Sequence, residues 1–146
     1  MKLKEIMASP VIKIHPEETA AVAARTLARY NIGVLPVCDG QGQLRGVVTD
    51  RDLVTRCVAL GRSPEQTKVR EIMTYQVVCA GADMDTGAAA HLMGRKQIRR
   101  LPVLENGKLC GVVSLGDLAR WEDCSIDAAD ALGEICTNIS DGEKHL

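Results

Sequence analysis

The sequence predicts an α/β fold of two β-α-β-β-α repeats that pack face to face about a pseudo-twofold axis, followed by a short C-terminal helix. The first observation is an internal duplication with an offset of 66 residues, which relates Ile6-Met7 to Ile72-Met73 and Leu35-Pro36-Val37 to Leu101-Pro102-Val103. The second is a longer block with an offset of 65, Gly46-Val47-Val48-Thr49-x-x-Asp52-Leu53 and Gly111-Val112-Val113-Ser114-x-x-Asp117-Leu118. Because self-similarity at a fixed period defines the folding unit, two copies indicate a tandem pair and exclude a long solenoid.

The duplication also sets the expected organisation of the chain. We expect repeat 1 with its linker over residues 1–66, repeat 2 over 67–121, and an acidic, partly helical tail over 122–146. Neither repeat has enough helices to cover both faces of its sheet, so the two are expected to cover each other and to leave two equivalent grooves.

Repeat 1 is predicted to open with a short turn and a strand over 10–14, with Pro10 tolerated at the first strand position. A helix should begin at Pro16, where acidic residues favour the positive end of the dipole, and end around Asn31. Strands over 34–38 and 44–48 should form a hairpin, and Thr49 should cap a helix that runs to Leu60.

Repeat 2 should follow the same order. The pattern predicts strands over 77–80, 101–104 and 109–113, a helix over 85–96, and a last helix from Ser114 to about Trp121. The dipeptide Asn106-Gly107 is the strongest hairpin signal in the chain. In the tail, Ser125 is a candidate cap for a helix with an apolar stripe, formed by Ala128, Ala131, Leu132, Ile135 and Ile139.

Composition narrows the class of protein. Phe is absent and aromatic residues are 2% of the chain, so the core must consist of aliphatic residues, Ala and Met. No apolar run is long enough to span a membrane, and the start lacks the apolar stretch of a signal peptide, so we expect a cytoplasmic protein. The six cysteines form no C-x-x-C pair and are expected to be reduced and buried.

Charge is unevenly distributed along the chain. Residues 121–146 hold seven acidic residues against one Lys, and the rest of the chain holds 17 basic against 12 acidic residues. A mildly basic body suits a small anionic ligand, but it is too weak and too poor in aromatics to indicate nucleic-acid binding.

The two strand-to-helix junctions carry the chemistry that the sequence offers. Their hydroxyl residues, Thr49 and Ser114, could donate to a phosphate or sugar oxygen, and the acids Asp52 and Asp117 could accept from a ribose diol. Free N–H groups at each helix start would favour phosphate, and Arg51 would add positive charge in repeat 1 only. A structural explanation stays open, because Ser or Thr followed three residues later by an acid is also a capping box.

A second candidate element is the strand entry before each repeated proline. These segments could offer backbone groups and aliphatic walls to a base, and they comprise Ile32, Gly33, Val34, Leu35 and Pro36 with Ile98, Arg99, Arg100, Leu101 and Pro102. Arginines at the start of a surface strand are the competing explanation for Arg99 and Arg100.

The repeated Ile-Met, Leu-Pro-Val and Gly-Val-Val-[Thr/Ser]-x-x-Asp-Leu blocks resemble a tandem pair of cystathionine β-synthase (CBS) domains, or Bateman module, of the short stand-alone bacterial type. The resemblance implies a regulatory adenosyl ligand, AMP, ADP, ATP or S-adenosylmethionine, with no metal required. It implies that Asp52 and Asp117 hold ribose and that Thr49 and Ser114 lie near ribose and phosphate. The base pockets would be lined by the two strand-entry segments together with Ser9, Val11, Thr74 and Val77. Gly116, which replaces Arg51, departs from the repeat 1 pattern and argues against strong triphosphate binding in repeat 2.

The expected function is therefore a non-catalytic sensor that binds adenosine nucleotides in the grooves between the repeats, as a homodimer and with a protein partner still to be identified. The alternative is a structural or interaction module with empty grooves. No catalytic triad or paired-carboxylate set is visible, and His15, His91 and His145 are widely separated. We expect no enzyme activity and no contact with nucleic acid or membrane.

Overall fold

The structure, a computed structural model, describes residues 1–121 and 125–143. Its helices are α1 (Ala20–Tyr30), α2 (Asp50–Leu53), α3 (Val69–Ile72), α4 (Thr86–Lys96), α5 (Leu115–Ala119) and α6 (Ser125–Glu143). Its strands are β1 (Val34–Cys38), β2 (Leu44–Thr49), β3 (Ala80–Gly81), β4 (Arg100–Glu105) and β5 (Lys108–Ser114). A 3₁₀ turn at Leu3–Glu5 precedes them, and a π-helical turn at Val54–Val58 continues α2. The predicted α/β class with two similar halves is confirmed.

The chain forms two compact units that do not follow the order of the repeats. The α1 unit contains Ile12–Val77 with Gly107–Leu109, and the α4 unit contains Met1–Val11, Val78–Asn106 and the described residues from Cys110 onward. Each unit therefore takes one longer segment from the other repeat, and the α1 unit also takes Gly107–Leu109 from the second. Residues 1–11 belong with the second repeat, and residues 67–77 belong with the first.

The sheet of the α1 unit has β1 and β2 at its centre, paired antiparallel. Ile14 bridges to Val37 in parallel on one side, and Thr74 bridges to Val47 in antiparallel on the other. The predicted strand over 10–14 is wrong apart from Ile14, whose N–H and C=O bond to Pro36 and Cys38. Ile12 and Lys13 are both exposed, so no alternation of buried and exposed residues holds this segment in a ladder.

The sheet of the α4 unit repeats this arrangement. Strand β3 pairs in parallel with β4, β5 follows β4, and Ala8 bridges to Val112. The hairpin predicted at Asn106-Gly107 is confirmed, with positive φ at both residues. The predicted strand over 77–80 is wrong except at Ala80, because residues 77–79 are all half-buried and fix no sheet face.

Each unit has its own aliphatic core. The core of the α1 unit joins helix α1, the hairpin and the segment 67–77, and comprises Ile14, Ala20, Ala23, Leu27, Leu35, Val37, Val48, Cys57, Val69, Ile72 and Met73. The core of the α4 unit adds residues of the N-terminal segment and of α6, and comprises Leu3, Ala80, Ala82, Ala89, Ala90, Met93, Leu101, Val103, Val113, Leu115, Leu118, Ala128, Ala131 and Ile135. The two short exchanged segments are thus part of the packing in the unit that they join.

Helix α1 begins later than predicted. Thr19 Oγ1 accepts a hydrogen bond from the Val22 N–H at 3.2 Å and caps the helix at Ala20, so the acidic residues after Pro16 lie in a turn before it. The predicted end is confirmed, since Asn31 adopts the left-handed conformation with φ 52°.

Helix α6 is longer than the short helix predicted and lies against α4 and α5. Ala128, Ala131 and Ile135 are buried as expected, but Leu132 is 42% exposed, so the predicted stripe is wrong at that position. The side chains of Ile139 and of the candidate cap Ser125 lie outside the described residues. Within the described part of the chain, no helix has the length and apolar character needed to cross a bilayer.

Candidate functional site

The junction from β2 to α2 is closed by a capping box in the α1 unit. Thr49 Oγ1 accepts from the Asp52 N–H at 3.0 Å, and Asp52 Oδ2 accepts from the Thr49 N–H at 3.0 Å. The structural explanation weighed for the sequence motif is therefore present. Asp52 is 6% exposed, so its carboxylate is a buried acceptor.

The junction from β5 to α5 has the same geometry in the α4 unit. Ser114 Oγ accepts from the Asp117 N–H at 3.0 Å, and Asp117 Oδ2 accepts from the Ser114 N–H at 2.9 Å. The Asp117 side chain is 25% exposed, and Arg120 Nη1 lies 3.7 Å from its other oxygen, Oδ1. This carboxylate is therefore the more accessible of the two.

The exchanged segments lie directly beside these junctions. Thr74 forms a pair of backbone hydrogen bonds with Val47, at 2.8 and 3.0 Å, and Ala8 forms the same pair with Val112, at 2.9 and 3.2 Å. Thr74 and Ala8 are thus equivalent positions, as their offset of 66 residues requires. Thr74 Oγ1 lies 3.2 Å from Oδ1 and 3.3 Å from Oδ2 of Asp52, whereas Ala8 has no hydroxyl to give Asp117.

Two repeated glycines allow the exchanged segments to come this close. A Cβ at Gly46 would lie 2.4 Å from the Thr74 backbone oxygen, and a Cβ at Gly111 would lie 2.4 Å from Met7 Sδ. Both glycines therefore serve close packing. The packing partner comes from the other repeat in each case: it is Thr74, directly after the Ile-Met pair, for Gly46, and Met7, within that pair, for Gly111.

Arg56 is a site residue that the sequence reasoning missed. Its Nη1 donates to the backbone oxygens of Ile72 and Met73 at 3.2 and 3.0 Å, and its Nε lies 3.8 Å from Asp52 Oδ1. The signal was available, because a basic residue four positions after an acid on a helix can reach it. Arg56 therefore ties the exchanged segment to the acid of the motif.

The expectation of free N–H groups at the start of α2 is wrong. The Asp50 N–H donates to the Gly33 oxygen at 3.1 Å, the Arg51 N–H to Asp50 Oδ1 at 2.8 Å, and the Asp52 N–H to Thr49. In the α4 unit the Leu115 N–H likewise donates to the Arg99 oxygen at 2.8 Å. An anion at the start of α2 would therefore have to be held by side chains.

The strand-entry segments offer a ligand mainly backbone groups, because most of their apolar side chains are buried. Leu35 and Leu101 are fully buried core residues, and Pro36 and Pro102 are buried as well. The polar candidates Arg51, Arg99 and Arg100 are exposed. Only backbone groups of the core residues could therefore face a ligand, while the three arginines are accessible to one.

The predicted site residues divide cleanly between the units. One set lies in the α1 unit and comprises Ile32, Gly33, Val34, Leu35, Pro36, Thr49, Arg51, Asp52, Thr74 and Val77. The other lies in the α4 unit and comprises Ser9, Val11, Ile98, Arg99, Arg100, Leu101, Pro102, Ser114 and Asp117. In the first set Thr49 and Thr74 form hydrogen bonds with Asp52, and in the second Ser114 forms them with Asp117. Each set contains residues of both repeats.

The described residues show no cluster of metal-binding side chains, and the two described histidines lie in different units. No three His, Cys, Asp or Glu side chains within residues 1–121 and 125–143 converge on a point that could hold a metal. His91 pairs with Asp127 at 3.0 Å, His15 Nδ1 accepts from the Glu17 N–H, and His145 lies outside the described residues.

Two of the thiols are also poor candidates for chemistry. Cys38, Cys57, Cys79, Cys110 and Cys136 are free, and burial raises the pKa of the Cys38 and Cys110 thiols. A raised pKa keeps a thiol protonated and unreactive at neutral pH. The expectation that the cysteines are buried holds for Cys38 and Cys57, whereas Cys79 and Cys110 are half-buried and Cys136 is exposed. Cys124 lies outside the described residues.

Comparison with known proteins gives a consistent result. A family model described as CBS domain matches residues 3–59 and 69–123. The CBS domain-containing protein YhcV of Bacillus subtilis is 38% identical over 143 residues, covering 98% of each chain.

Two solved structures are informative neighbours. Hypoxic Response Protein I, solved with two coordinated zinc ions, superposes with a TM-score of 0.76 at 30% identity, over 82% of this chain and 98% of that one. The CBS domain pair of protein MJ0100, in complex with 5′-methylthioadenosine and S-adenosyl-L-methionine, gives a TM-score of 0.70 at 29% identity, over 82% and 94%.

Proposed function

Because the chain belongs to the CBS-domain family and contains a tandem pair of these regulatory domains, we propose that it is a non-catalytic sensor of adenosine-containing ligands. The candidate ligands are AMP, ADP, ATP and S-adenosylmethionine. Each would bind at one of the two residue sets, the first around Asp52 and the second around Asp117.

The observation that carries this proposal is the convergence of two repeats on one acid. In the α1 unit the Thr74 hydroxyl, from the second repeat, lies within hydrogen-bonding distance of Asp52, from the first. The Asp52 carboxylate can exchange the bond from the Thr74 hydroxyl for one from a ribose hydroxyl at little cost, since the carboxylate keeps the same number of donors. The Asp117 side chain is already 25% exposed to solvent, so a ribose hydroxyl could reach it without such an exchange.

The remaining residues of each set would complete the recognition. Thr49 and Ser114 would face the sugar-phosphate region, Arg51 would pair with phosphate in the first set, and the strand-entry backbones would meet the base edge. The adenosyl compounds bound by the MJ0100 domain pair support this ligand class. That pair holds no triphosphate among its named ligands, so S-adenosylmethionine and AMP should be tested beside ATP.

Five free thiols among the described residues favour a reducing compartment, and we place the protein in the cytoplasm on that ground. We also propose that it works as a homodimer.

A second candidate function is a structural or interaction module. It is favoured by the finding that both acids close a capping box, which accounts for the motif without a ligand. In that case neither site would respond to nucleotide.

Calorimetry and thermal unfolding with each adenosyl compound separate the two candidates. A ligand at 100 times its Kd adds about 2.7 kcal/mol to stability, which corresponds to a rise in Tm of roughly 5–11 °C for a chain of this size. Asp52→Asn and Asp117→Asn keep an oxygen that can cap the helix but lose one acceptor for the ribose diol. Each variant is compared with its own ligand-free Tm.

Asp85→Asn is the control, because Asp85 also stabilises a helix start, as the N-cap residue of α4 that accepts from the Gly87 N–H, and belongs to neither set. A ligand response that persists in the control and falls in one of the first two variants supports the sensor. Absence of response to every adenosyl compound would favour the structural module.

A further inference from the structure

Helix α6 shows what covers a helix pair in this fold. It packs on α4 and α5 and buries Ala90 completely. The approach is close, since a Cβ at Gly94 would lie 3.1 Å from Ala131 Cα and 2.9 Å from Glu134 Oε2. At the edge of this contact Asp127 pairs with His91 at 3.0 Å. The cover is therefore an apolar helix face bordered by acids.

The equivalent face of the α1 unit is uncovered. With the offset of 66 residues, Ala90, His91 and Gly94 of α4 correspond to Ala24, Arg25 and Ala28 of α1. All three α1 residues are exposed. Arg25 makes no ion pair within the described part of the chain, although its position corresponds to the one where His91 meets an acid.

More apolar surface lies on the helix that contacts α1. The α2 helix and the turn that continues it leave Val54 59% exposed and Val58 64% exposed, and Leu60 follows at 69%. Apolar residues in such number on one short segment are typical of a surface that binds another protein. We term these three residues, together with Ala24, Arg25 and Ala28, the α1 face.

Helix α6 carries a second apolar face on its outer side. Ile126 is 76% exposed and Leu132 42% exposed, and Ala129 and Cys136 are exposed with them. Asp130, one residue after Ala129, is exposed as well. We term these five residues the outer α6 face. It is apolar with an acidic edge, as is the inner face that already covers α4.

We infer that the outer α6 face of one copy of this chain docks on the α1 face of a second copy, with Asp130 beside Arg25. The occupant is identified by its chemistry: the uncovered face is apolar with a cationic edge, and α6 is an apolar helix with acidic edges that covers the equivalent face elsewhere in the same chain. The contact joins two different surfaces, so it closes into a dimer only if it is made reciprocally. This inference is independent of any ligand.

Disulfide trapping tests the contact directly, because Cys136 is an exposed natural thiol on the outer α6 face. In the variant Ala24→Cys, mild oxidation should link residue 24 of one copy to Cys136 of another, as identified by mass spectrometry of the linked peptides. The link should be lost when Cys136→Ser is added. Gln41→Cys, exposed in the hairpin turn, is the matched control and should form no such link.

Analytical ultracentrifugation gives the second readout. Arg25→Glu would place like charges together and should raise the dissociation constant roughly tenfold. Adding Asp130→Arg to it should restore association, whereas the control Lys13→Glu should leave it unchanged. Circular dichroism confirms that each variant is folded. A wild-type chain that sediments as a monomer at all accessible concentrations, or a dimer unaffected by Arg25→Glu and unlinked through residue 24, would overturn the inference.

Discussion

Thr74 Oγ1 lies 3.2 Å from one carboxylate oxygen of Asp52 and 3.3 Å from the other, across 22 residues of sequence and between the two repeats. The equivalent contact is missing beside Asp117, because Ala8 stands where Thr74 would be. One acid is thus buried and held by the exchanged segment, and the other is held by its own helix and is partly open. The two copies of the motif therefore have different surroundings.

This contact predicts a measurable stability effect. Thr74→Ala removes a donor to a buried carboxylate, and hydrogen bonds to charged groups contribute about 1.5–3 kcal/mol each. We expect a loss of that order in the free energy of unfolding, measured by urea denaturation. Thr74→Ser keeps the hydroxyl and should lose much less. Equal losses in the two variants would show that the methyl group, and not the hydrogen bond, stabilises the segment.

The two acids should also differ in their contribution to stability. Asp52→Ala leaves the Thr49 N–H and the Thr74 hydroxyl without their acceptor, and Arg56 without its nearby charge. Asp117→Ala removes one capping bond at a partly exposed site, which typically costs about 1 kcal/mol. We therefore expect the first substitution to cost at least about 2 kcal/mol. An equal or larger loss for Asp117→Ala in the same denaturation experiment would contradict this account.

Features that depend on neighbouring residues could be predicted from the sequence. Thr49, Ser114 and the Asn106-Gly107 turn were predicted in their observed roles, because caps and tight turns are fixed by residues next to each other. The strands over 10–14 and 77–80 failed for the opposite reason. Each makes its few ladder bonds to a distant strand, and nothing in its own pattern limits it to one or two residues.

The exchange of segments could not be read from the sequence, and the reason is physical. Residues 6–8 and 72–74 are nearly the same, so each is compatible with both sheets, and pattern reasoning cannot assign one to the other. The assignment depends on long-range contacts such as Met7 against Gly111 and Thr74 against Gly46. For the same reason the bond from Thr74 to Asp52 was missed although both residues were candidates.

The two repeated glycines should respond differently to the same substitution. In Gly46→Ala the new Cβ meets the backbone oxygen of Thr74, which is fixed by two hydrogen bonds to Val47. In Gly111→Ala it meets the side chain of Met7, whose sulfur can move away. Overpacking lowers the free energy of unfolding by about 1–3 kcal/mol. We expect Gly46→Ala to lower it by an amount at or above the upper end of this range, and Gly111→Ala by an amount near the lower end.

A double substitution tests the cause of that difference. Met7→Ala removes the atoms that a Cβ at position 111 would meet, so Gly111→Ala should cost less in that background than in the wild type. No substitution of the Thr74 side chain can relieve Gly46→Ala in this way, because the clash is with backbone. Equal costs at the two glycines, or full additivity of Met7→Ala with Gly111→Ala, would refute the packing explanation.

Stability should fall in acid partly through Glu71. The backbone N–H of Lys68, at 2.7 Å, and the Arg62 guanidinium, also at 2.7 Å, hold the pKa of this carboxyl below its ordinary value of 4.5. Above pH 4.5 the carboxylate is charged in both states and its full contribution is present. As the pH falls through the lowered folded-state pKa, the unfolded chain binds the proton more readily and stability is lost. Glu71→Gln should therefore make the free energy of unfolding less dependent on pH below 4.5, in urea titrations at a series of pH values.

Glu18→Gln is the control, because that side chain makes no hydrogen bond or ion pair within the described part of the chain, and its pH profile should match the wild type. An unchanged slope in Glu71→Gln would mean that the bonds to Lys68 and Arg62 do not persist in solution.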